Sequence, residues 1–382
     1  MLYTVKNIVA VLLAVVMLFN VIIYKKVKIS FYSFWGIGFV LICLVSTLWA
    51  PDTLHSLFIA KGFIEIAVIG FLFLSQEHNY KKIELYEKAI AIAGVFLAIR
   101  IIIEFPISWW GISRLHNENL NANSIGMLLM LSTFCAYHLY KINLKKRYLL
   151  LLAPFIIIIL FTGSRKAYIG VILGLVFLWW LHIKKRQTRN MLLPLAILII
   201  FVFFVFSLNI QPLYNLVGYR LESTLNLFAD NNATVDDSTI LRIQMLKVGW
   251  QLFQENPLIG HGLYSYERIS GFRTYSHNNY LELLTSVGLI GTIWYYSIYI
   301  YNIKKVIKLV KLRDKHACLF LCFFVIQLML EFAYVSWYSE SIHLMIMFST
   351  CYLNLIDKGK NGIKIHNNRT VPIQNNNVAE GW

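Results

Sequence analysis

The stretch MLLPLAILIIFVFFVFSLN, residues 191–209, contains no charged side chain. Its length suits a helix that crosses the hydrocarbon core of a bilayer, which takes about 20 apolar residues. Comparable apolar runs recur along the chain, at about 4–24, 31–49, 54–75, 88–105, 121–140, 148–163, 166–183, 279–302, 317–337 and 341–356. Of the 382 residues, 58% are hydrophobic and 14% are charged, whereas a soluble domain carries about 25% charged residues. The sequence therefore predicts an all-α protein, a polytopic transmembrane helical bundle of about eleven helices with one long external loop.

The net charge of +16 comes from basic residues that gather in alternate loops. These loops hold 24 of the 35 Lys and Arg residues, in groups that begin at Lys25, Lys81, Lys141, Lys184, Lys304 and Lys358. By the positive-inside rule, the N-terminus and the loop 210–278 lie outside, and the C-terminus lies inside. The charge is thus explained by topology and by contacts with the lipid bilayer, and nucleic acid is not an expected partner. The first segment has no small-residue cleavage site, so we expect it to be retained as a helix.

A single membrane domain, residues 1–357, accounts for the chain, and the Asn-rich tail 358–382 is predicted to be disordered and cytoplasmic. The external loop 210–278 separates the eighth and ninth segments. Within it, Asp236-Asp237-Ser238 predicts the start of a short surface helix, and Glu255-Asn256-Pro257 predicts its end. The helix has an apolar face that predicts a position along the membrane surface or on the bundle. This face carries Leu241, Met245, Val248 and Leu252.

The sequence does not predict a metal site or a cofactor. All five cysteines lie within apolar segments, where they are expected to be small core residues. Cys318 and Cys322 are one helical turn apart, but this spacing alone does not predict a metal site. The adjacent acids Asp236 and Asp237 are better explained as a helix start than as ligands.

Three basic residues are predicted to meet at the external face. His277 opens an apolar segment at the end of the long loop, Arg165 lies in the short turn TGSRK between two segments, and Arg242 belongs to the surface helix. Each also has a structural explanation. Arg165 and Lys166 could snorkel to headgroups, Arg242 could be a solvated helix residue, and His277 could be interfacial, with Asn278 capping the next helix. Their combination favours function, because basic residues on the charge-poor side go against the positive-inside bias.

Two pairs of opposite charges lie within the apolar segments, Lys61 with Glu65 and Arg100 with Glu104, each four residues apart. This spacing puts both members on one helical face, so structural pairing is expected, with a substrate cavity as the alternative. Arg114, in RLHNENLNANSIG, is a further external arginine that could bind an anionic group. The possible substrate contacts are thus Arg100, Arg114, Lys166 and Asn278.

These motifs resemble a known family. His277-Asn278, followed after nine residues by Gly288-Leu289-Ile290-Gly291, resembles the histidine motif of the O-antigen ligase and polysaccharide polymerase superfamily. Thr162-Gly163-Ser164-Arg165 is similar to its serine-arginine turn. Arg242 upstream of the stretch NPLIGHG, residues 256–262, is similar to its long external loop. The resemblance covers about 110–300. It departs from the family in the helix count, which is commonly about twelve there, and at Lys166, where a small residue is common.

The resemblance implies a membrane glycosyltransferase in the bacterial cytoplasmic membrane, with its active site on the outer face. Its substrates would be a glycan linked to a polyprenyl diphosphate and a sugar acceptor, with a flippase and a chain-length regulator as further partners. In this role, Arg165 and Arg242 would hold the diphosphate without a metal. His277 would act as the general base in an inverting displacement, and Gly288 and Gly291 would let their helix approach its neighbours. We favour a polymerase of repeat units over a ligase acting on a lipid A core, and the alternative from another class is a transporter of lipid-linked oligosaccharides.

Overall fold

The regular elements of this protein are helices. The structure, a computed structural model, describes residues 2–367 apart from 111–114, 118–119, 184–185 and most of 210–236. In that part of the chain, the one β-type pairing is an isolated bridge between Asn117 and Leu120. The predicted all-α fold is therefore confirmed.

The helices follow the predicted apolar segments closely. They are α1 Leu2–Tyr24, α2 Phe31–Ser46, α3 Thr53–Ser75, α4 Tyr80–Glu104, α5 Ala122–Asn143, α6 Lys146–Leu150, α7 Leu152–Phe161, α8 Arg165–His182, α9 Arg186–Met191, α10 Leu193–Asn209, α11 Asp237–Glu255, α12 Tyr266–Ile269, α13 Asn279–Lys311, α14 Ala317–Leu330 and α15 Glu340–Asn367. Short 3-10 helices cover Thr47–Trp49 and Ile107–Trp109.

Several helices are long and apolar enough to cross a membrane. Among the described residues, five meet both conditions: Phe31–Trp49, Thr53–Ser75, Ala122–Asn143, Arg165–His182 and Asn279–Lys311. Ile8–Tyr24, Ile197–Phe206 and Ala317–Leu330 are shorter apolar helices. The structure thus supports a multi-pass membrane protein, while the predicted number of eleven crossings stays a prediction.

The outer surface of the bundle is apolar, as expected for lipid contact. Phe34, Phe58, Phe96 and Phe201 each expose at least 60% of their surface. Contiguous apolar surface of this kind is rare on soluble monomers, and in a bilayer it costs nothing because it faces hydrocarbon.

Inside the bundle, α5 packs against α4, α7 and α8, and α13 packs against α2, α11, α14 and α15. Small residues let some of these helices approach closely. A Cβ added to Gly174 would lie 2.1 Å from Cζ of Phe134.

The predicted surface helix is α11, and it packs against α13 of the bundle. Met245 and Leu252 are buried against Tyr266 of α12, with Val248 at the edge of this contact. Leu241, which was expected on the same face, is 42% exposed. The apolar face is therefore shorter than predicted, because a neighbouring loop segment covers only its C-terminal part.

The last helix differs from the prediction. Helix α15 continues to Asn367, so residues 358–367 are helical where the sequence predicted a disordered tail. The rest of that tail, 368–382, lies outside the described residues.

Helix α13 is interrupted at Gly288, whose φ of 64° and ψ of −168° are not helical. A Cβ at this position would lie 2.3 Å from the carbonyl oxygen of Leu258, so a glycine is required for the backbone conformation as well as for space. The role expected from sequence, close helix packing, fits Gly291 better. A Cβ on Gly291 would lie 3.3 Å from Cγ2 of Ile42 in α2.

The turn 256–262 fills the break. Four backbone hydrogen bonds join it to α13: His261 N–H to Thr285 O (2.8 Å), Gly262 N–H to Ser286 O (3.0 Å), Leu289 N–H to Pro257 O (2.8 Å) and Ile290 N–H to Leu258 O (3.1 Å). The backbone groups that the interruption releases are thus satisfied by the loop, as buried groups in a membrane protein must be. The long loop is anchored inside the bundle, close to the end that carries His277.

Candidate functional site

His277 is held in an unusual backbone conformation just before α13. Its φ of 57° lies in the left-handed region, which few non-glycine residues adopt. The next residue, Asn278, is the N-cap of α13: its Oδ1 accepts from the N–H of Leu281 at 3.0 Å. Nδ2 of Asn278 donates to the carbonyl of Phe332 at 3.2 Å. Of the two roles expected for Asn278, its geometry supports the cap, because both ends of its amide are engaged within the protein.

A buried carboxylate fixes the residue before His277. The N–H of Ser276 donates to Oε2 of Glu282 at 2.7 Å, and Oγ of Ser276 donates to the carbonyl of Asn278 at 2.8 Å. Ser276 and Glu282 are each 1% exposed. The chain on both sides of His277 is therefore held by hydrogen bonds, so the imidazole is presented from a fixed position.

The imidazole of His277 lies against Tyr275, with 4.3 Å between the ring centroids. Burial, together with the positive charges of Arg242 and Lys166, lowers the pKa of His277 to about 4. The ring is therefore neutral at neutral pH and has a free lone pair with which to accept a proton.

Arg165 and Arg242 are brought together through α11. Arg165 is the first residue of α8, and its Nη1 donates to Oγ1 of Thr239 at 3.5 Å. Thr239 lies three residues before Arg242 on α11, a spacing that places both on one face of the helix. The charge of Arg242 contributes to the lowered pKa of His277, and it opposes the rise that burial causes in the pKa of Tyr275. The three residues singled out by sequence thus share one end of the bundle.

Lys166 also belongs to this group. Its Nζ lies 4.2 Å from the ring centroid of Tyr334, a cation–π contact. Because Lys166 also acts electrostatically on His277, the cation that departs from the family pattern faces the same site. The site therefore has Arg242 and Lys166 beside a half-buried imidazole and two tyrosines, with Arg165 at the same end of the bundle.

Sequence reasoning missed the segment 331–339, which carries Tyr334. Two buried groups hold it. Oδ1 of Asn279 accepts from the N–H groups of Ser336 (2.8 Å) and Trp337 (2.9 Å). The carboxylate of Glu331 accepts from the hydroxyls of Ser336 and Tyr296, both at 2.7 Å. A signal was present in the sequence, since Glu331 is an acid inside an apolar segment.

Arg100, another of the sequence-predicted contacts, is paired with a neighbour on its own helix. Nε of Arg100 donates to Oε1 of Glu104 at 2.6 Å, and Oε2 of Glu104 accepts from Asn117 at 3.0 Å. Nζ of Lys61 lies 3.7 Å from Oε1 of Glu65. Both pairs thus support the structural pairing expected from their spacing. Arg114 lies outside the described residues.

The arrangement suits a reaction in which a phosphate group is bound as an anion and a hydroxyl group loses a proton. Cations in a partly desolvated pocket stabilise phosphate oxygens, and guanidinium groups can bind them in a bidentate manner. A neutral imidazole beside them can accept a proton from a hydroxyl group.

Comparison with known proteins agrees with this geometry. Residues 149–296 match the family model described as O-Antigen ligase. A search of curated proteins gives no match. The matched region contains Arg165, Lys166, Arg242, His277 and Gly288–Gly291, whereas Arg100 and Arg114 lie before it. Residues 149–296 are thus similar to the O-antigen ligase family, in agreement with the superfamily that the motifs of this region resemble.

Proposed function

We propose that this protein is a membrane glycosyltransferase that uses a polyprenyl-diphosphate-linked glycan as donor. It passes the glycan to a sugar acceptor at the outer face of the bacterial cytoplasmic membrane, and so polymerises repeat units of O-antigen or of a capsular polysaccharide or exopolysaccharide. The observation that carries the proposal is a neutral imidazole at His277 beside Arg242 and Lys166, within the O-antigen ligase region.

The cations would bind the leaving group. When the anomeric carbon is attacked, its bond to the phosphate oxygen breaks and the electron pair moves onto the diphosphate. Arg242, Arg165 and Lys166 would hold this anion and stabilise the growing charge, which speeds the reaction because the charge is largest in the transition state. Positioned arginines can do this without a metal ion, so we propose a metal-independent reaction.

His277 would take the proton of the acceptor. The acceptor hydroxyl forms the new bond to the anomeric carbon, and its proton moves to the imidazole as the bond forms. Attack from the face opposite the diphosphate inverts the anomeric configuration. The pKa of His277 is lowered in the free protein, and bound diphosphate would raise it again, which makes the imidazole a better base when substrate is present.

A ligase that transfers the glycan to a lipid A core would use the same residues. It differs only in its acceptor, and the family description itself names that activity. The third alternative is a transporter of lipid-linked oligosaccharides. Transporters commonly bind their substrates at interrupted helices whose backbone groups are free to contact the ligand. In α13 the interruption is filled by the turn 256–262, so those groups are already used.

The test uses the purified full chain with a defined lipid-diphosphate repeat unit. We expect a ladder of products from this single substrate. Product that forms only when a lipid A core is added would mean a ligase, and no transfer in either case would overturn the enzymatic proposal. His277→Ala should abolish transfer while the protein remains folded. The matched control is His55→Ala, since His55 lies near the start of α3 against Tyr264 of the same loop.

A further inference from the structure

A second cluster of polar side chains is buried at the opposite end of the bundle. It joins Glu87 of α4, His138 of α5 and His316, which precedes α14. Oε1 of Glu87 lies 2.7 Å from Nδ1 of His316 and 3.8 Å from Nε2 of His138. One nitrogen of each histidine and one oxygen of the glutamate all lie within 4.8 Å of one another. The sequence alone does not predict this site, because its three residues come from segments far apart in the chain.

Hydrogen bonds do not explain this cluster. Glu87 and His138 are each 0% exposed, yet both ring nitrogens of His138 and Oε2 of Glu87 have no hydrogen-bond partner. A buried polar group left in this way costs about 1–3 kcal/mol. The contact between Glu87 and His316 satisfies only Oε1 and Nδ1. Oε2 of Glu87 and the two ring nitrogens of His138, one of which carries a proton, thus remain without a partner.

A fourth imidazole adjoins the cluster. His182, the last residue of α8, lies with its ring centroid 5.3 Å from that of His138. Its Nδ1–H donates to the carbonyl of Leu178 at 2.7 Å, and its buried Nε2 has no partner. Metal-binding histidines characteristically donate their other ring N–H to a carbonyl or carboxylate, because this fixes the tautomer and the ring orientation.

We propose that Glu87, His138 and His316 bind a divalent transition-metal ion, with zinc as the metal that fits best. Two imidazoles and one carboxylate are ligands that Zn²⁺ prefers, whereas Mg²⁺ and Ca²⁺ prefer sites made of oxygen atoms. Zinc bound tetrahedrally at about 2.1 Å from each ligand separates neighbouring ligand atoms by about 3.4 Å. The distance from Glu87 to His316 (2.7 Å) is shorter than this value, and the distance from Glu87 to His138 (3.8 Å) is longer. Small movements of these side chains would therefore be enough to bind the ion. His182, beside His138, could supply a fourth ligand.

This site is structural and separate from the His277 site. It is closed to solvent, and its ligands join the helices α4, α5 and α14, so the ion holds together three parts of the bundle that are distant in sequence. Helix α8 carries Arg165 at one end and His182 at the other, which separates the two sites by about 26 Å at 1.5 Å per residue. The inference does not depend on the proposed glycosyltransferase activity.

The experiment measures metal in the purified full-length protein. We expect about one zinc ion per chain after incubation with Zn²⁺ and gel filtration, by elemental mass spectrometry. Glu87→Gln and His138→Gln should each lose the metal. The matched control is Glu84→Gln, which removes a carboxylate one turn away on α4 that pairs with Lys88 and Asn143. This control should keep the metal.

A second measurement needs no variant. A strong chelator should lower the thermal unfolding midpoint of the wild-type protein, and added Zn²⁺ should restore it, because an ion bound only by the folded state stabilises that state. Cobalt(II) in place of zinc should give the visible absorption of a tetrahedral site. The proposal would be overturned if the wild-type protein binds no metal or keeps its unfolding midpoint in chelator. It would also be overturned if both ligand variants keep the ion.

Discussion

The N–H of Ser276 donates to Oε2 of Glu282 at 2.7 Å, so a carboxylate in the first turn of α13 holds the residue that precedes His277. Both groups are buried, and no solvent molecule can replace the bond. Glu282, in the sequence HNNYLEL, thus helps to fix the position of His277, the first residue of that sequence.

Replacing Glu282 tests this relationship. Glu282→Leu should lower transferase activity about 10²-fold, because loss of the bond lets His277 move from its position. The same change should destabilise the protein by about 1–3 kcal/mol, since the N–H of Ser276 is left unsatisfied. Glu282→Gln keeps an acceptor oxygen and should restore most of the activity. Equal loss in both variants would show that the charge of Glu282, rather than its hydrogen bond, is required.

The pH dependence follows from the pKa of His277, which is lowered to about 4. A general base must be unprotonated, so kcat/KM should not fall through protonation of His277 between pH 7 and pH 5. It should decrease below about pH 4, about tenfold for each pH unit. The dependence of kcat should show its acid limb at a higher pH, because bound diphosphate raises the pKa of His277. A limb in kcat/KM near the ordinary histidine value of about 6.5 would contradict the role of burial.

Removing Lys166 should move that acid limb upward. Lys166→Met keeps the length of the side chain but deletes the positive charge that lowers the pKa of His277. We therefore expect the acid limb of kcat/KM to rise, together with weaker binding of the lipid diphosphate. Both are measured from initial rates over a range of pH and donor concentration. An unchanged limb would mean that Lys166 lies too far from the imidazole in the working enzyme.

Arg242 is expected to contribute more to the rate than to binding. Arg242→Gln should lower kcat about 10²–10³-fold, the usual cost of removing one group that stabilises transition-state charge. The control is Arg100→Gln, since Arg100 is paired with Glu104 outside the O-antigen ligase region. This variant should retain most of its activity. Similar losses in both variants would argue against a specific role for Arg242.

Gly288 should not tolerate a side chain. Gly288→Ala places a Cβ 2.3 Å from the carbonyl oxygen of Leu258, at a positive φ. We expect a loss of at least about 2 kcal/mol in stability, seen as a lower midpoint in thermal unfolding followed by gel filtration. Gly62→Ala is the matched control, because no heavy atom lies within 4 Å of its added Cβ in α3. Its midpoint should be unchanged or higher.

Much of the architecture could be predicted from the sequence, because apolar length and the placement of charge act locally. The segment 31–49, for example, is predicted from composition alone and is found as a span from Phe31 to Trp49. Asn278 as a cap and the paired charges of Arg100 and Glu104 follow from short-range geometry in the same way.

Other features depend on contacts between distant segments and leave no periodic signal. The interruption at Gly288 requires the turn 256–262, and only the folded chain brings the two together. Lys166 meets Tyr334 across 168 positions of sequence. Glu87, His138 and His316 lie on different helices, so no spacing rule could connect them. The roles of Arg165, Arg242 and His277 in chemistry stay predictions, although the structure places them at one end of the bundle.

The docking of the turn 256–262 into α13 has a consequence for how proteins with this helix break can diversify. Because four backbone hydrogen bonds fix the turn in register with the helix, a length change inside it shifts all four partners at once. Residues 256–291 must therefore be inherited or exchanged as one block, and a chimaera that takes the turn from one parent and the helix from another should fail to assemble. A glycine inserted after Leu258 should abolish folding, whereas one inserted after Gly271, where an added Cβ meets nothing within 4 Å, should be tolerated. Under the proposed function, new acceptor specificities then have to arise in parts of the external loop that stay clear of the helix break.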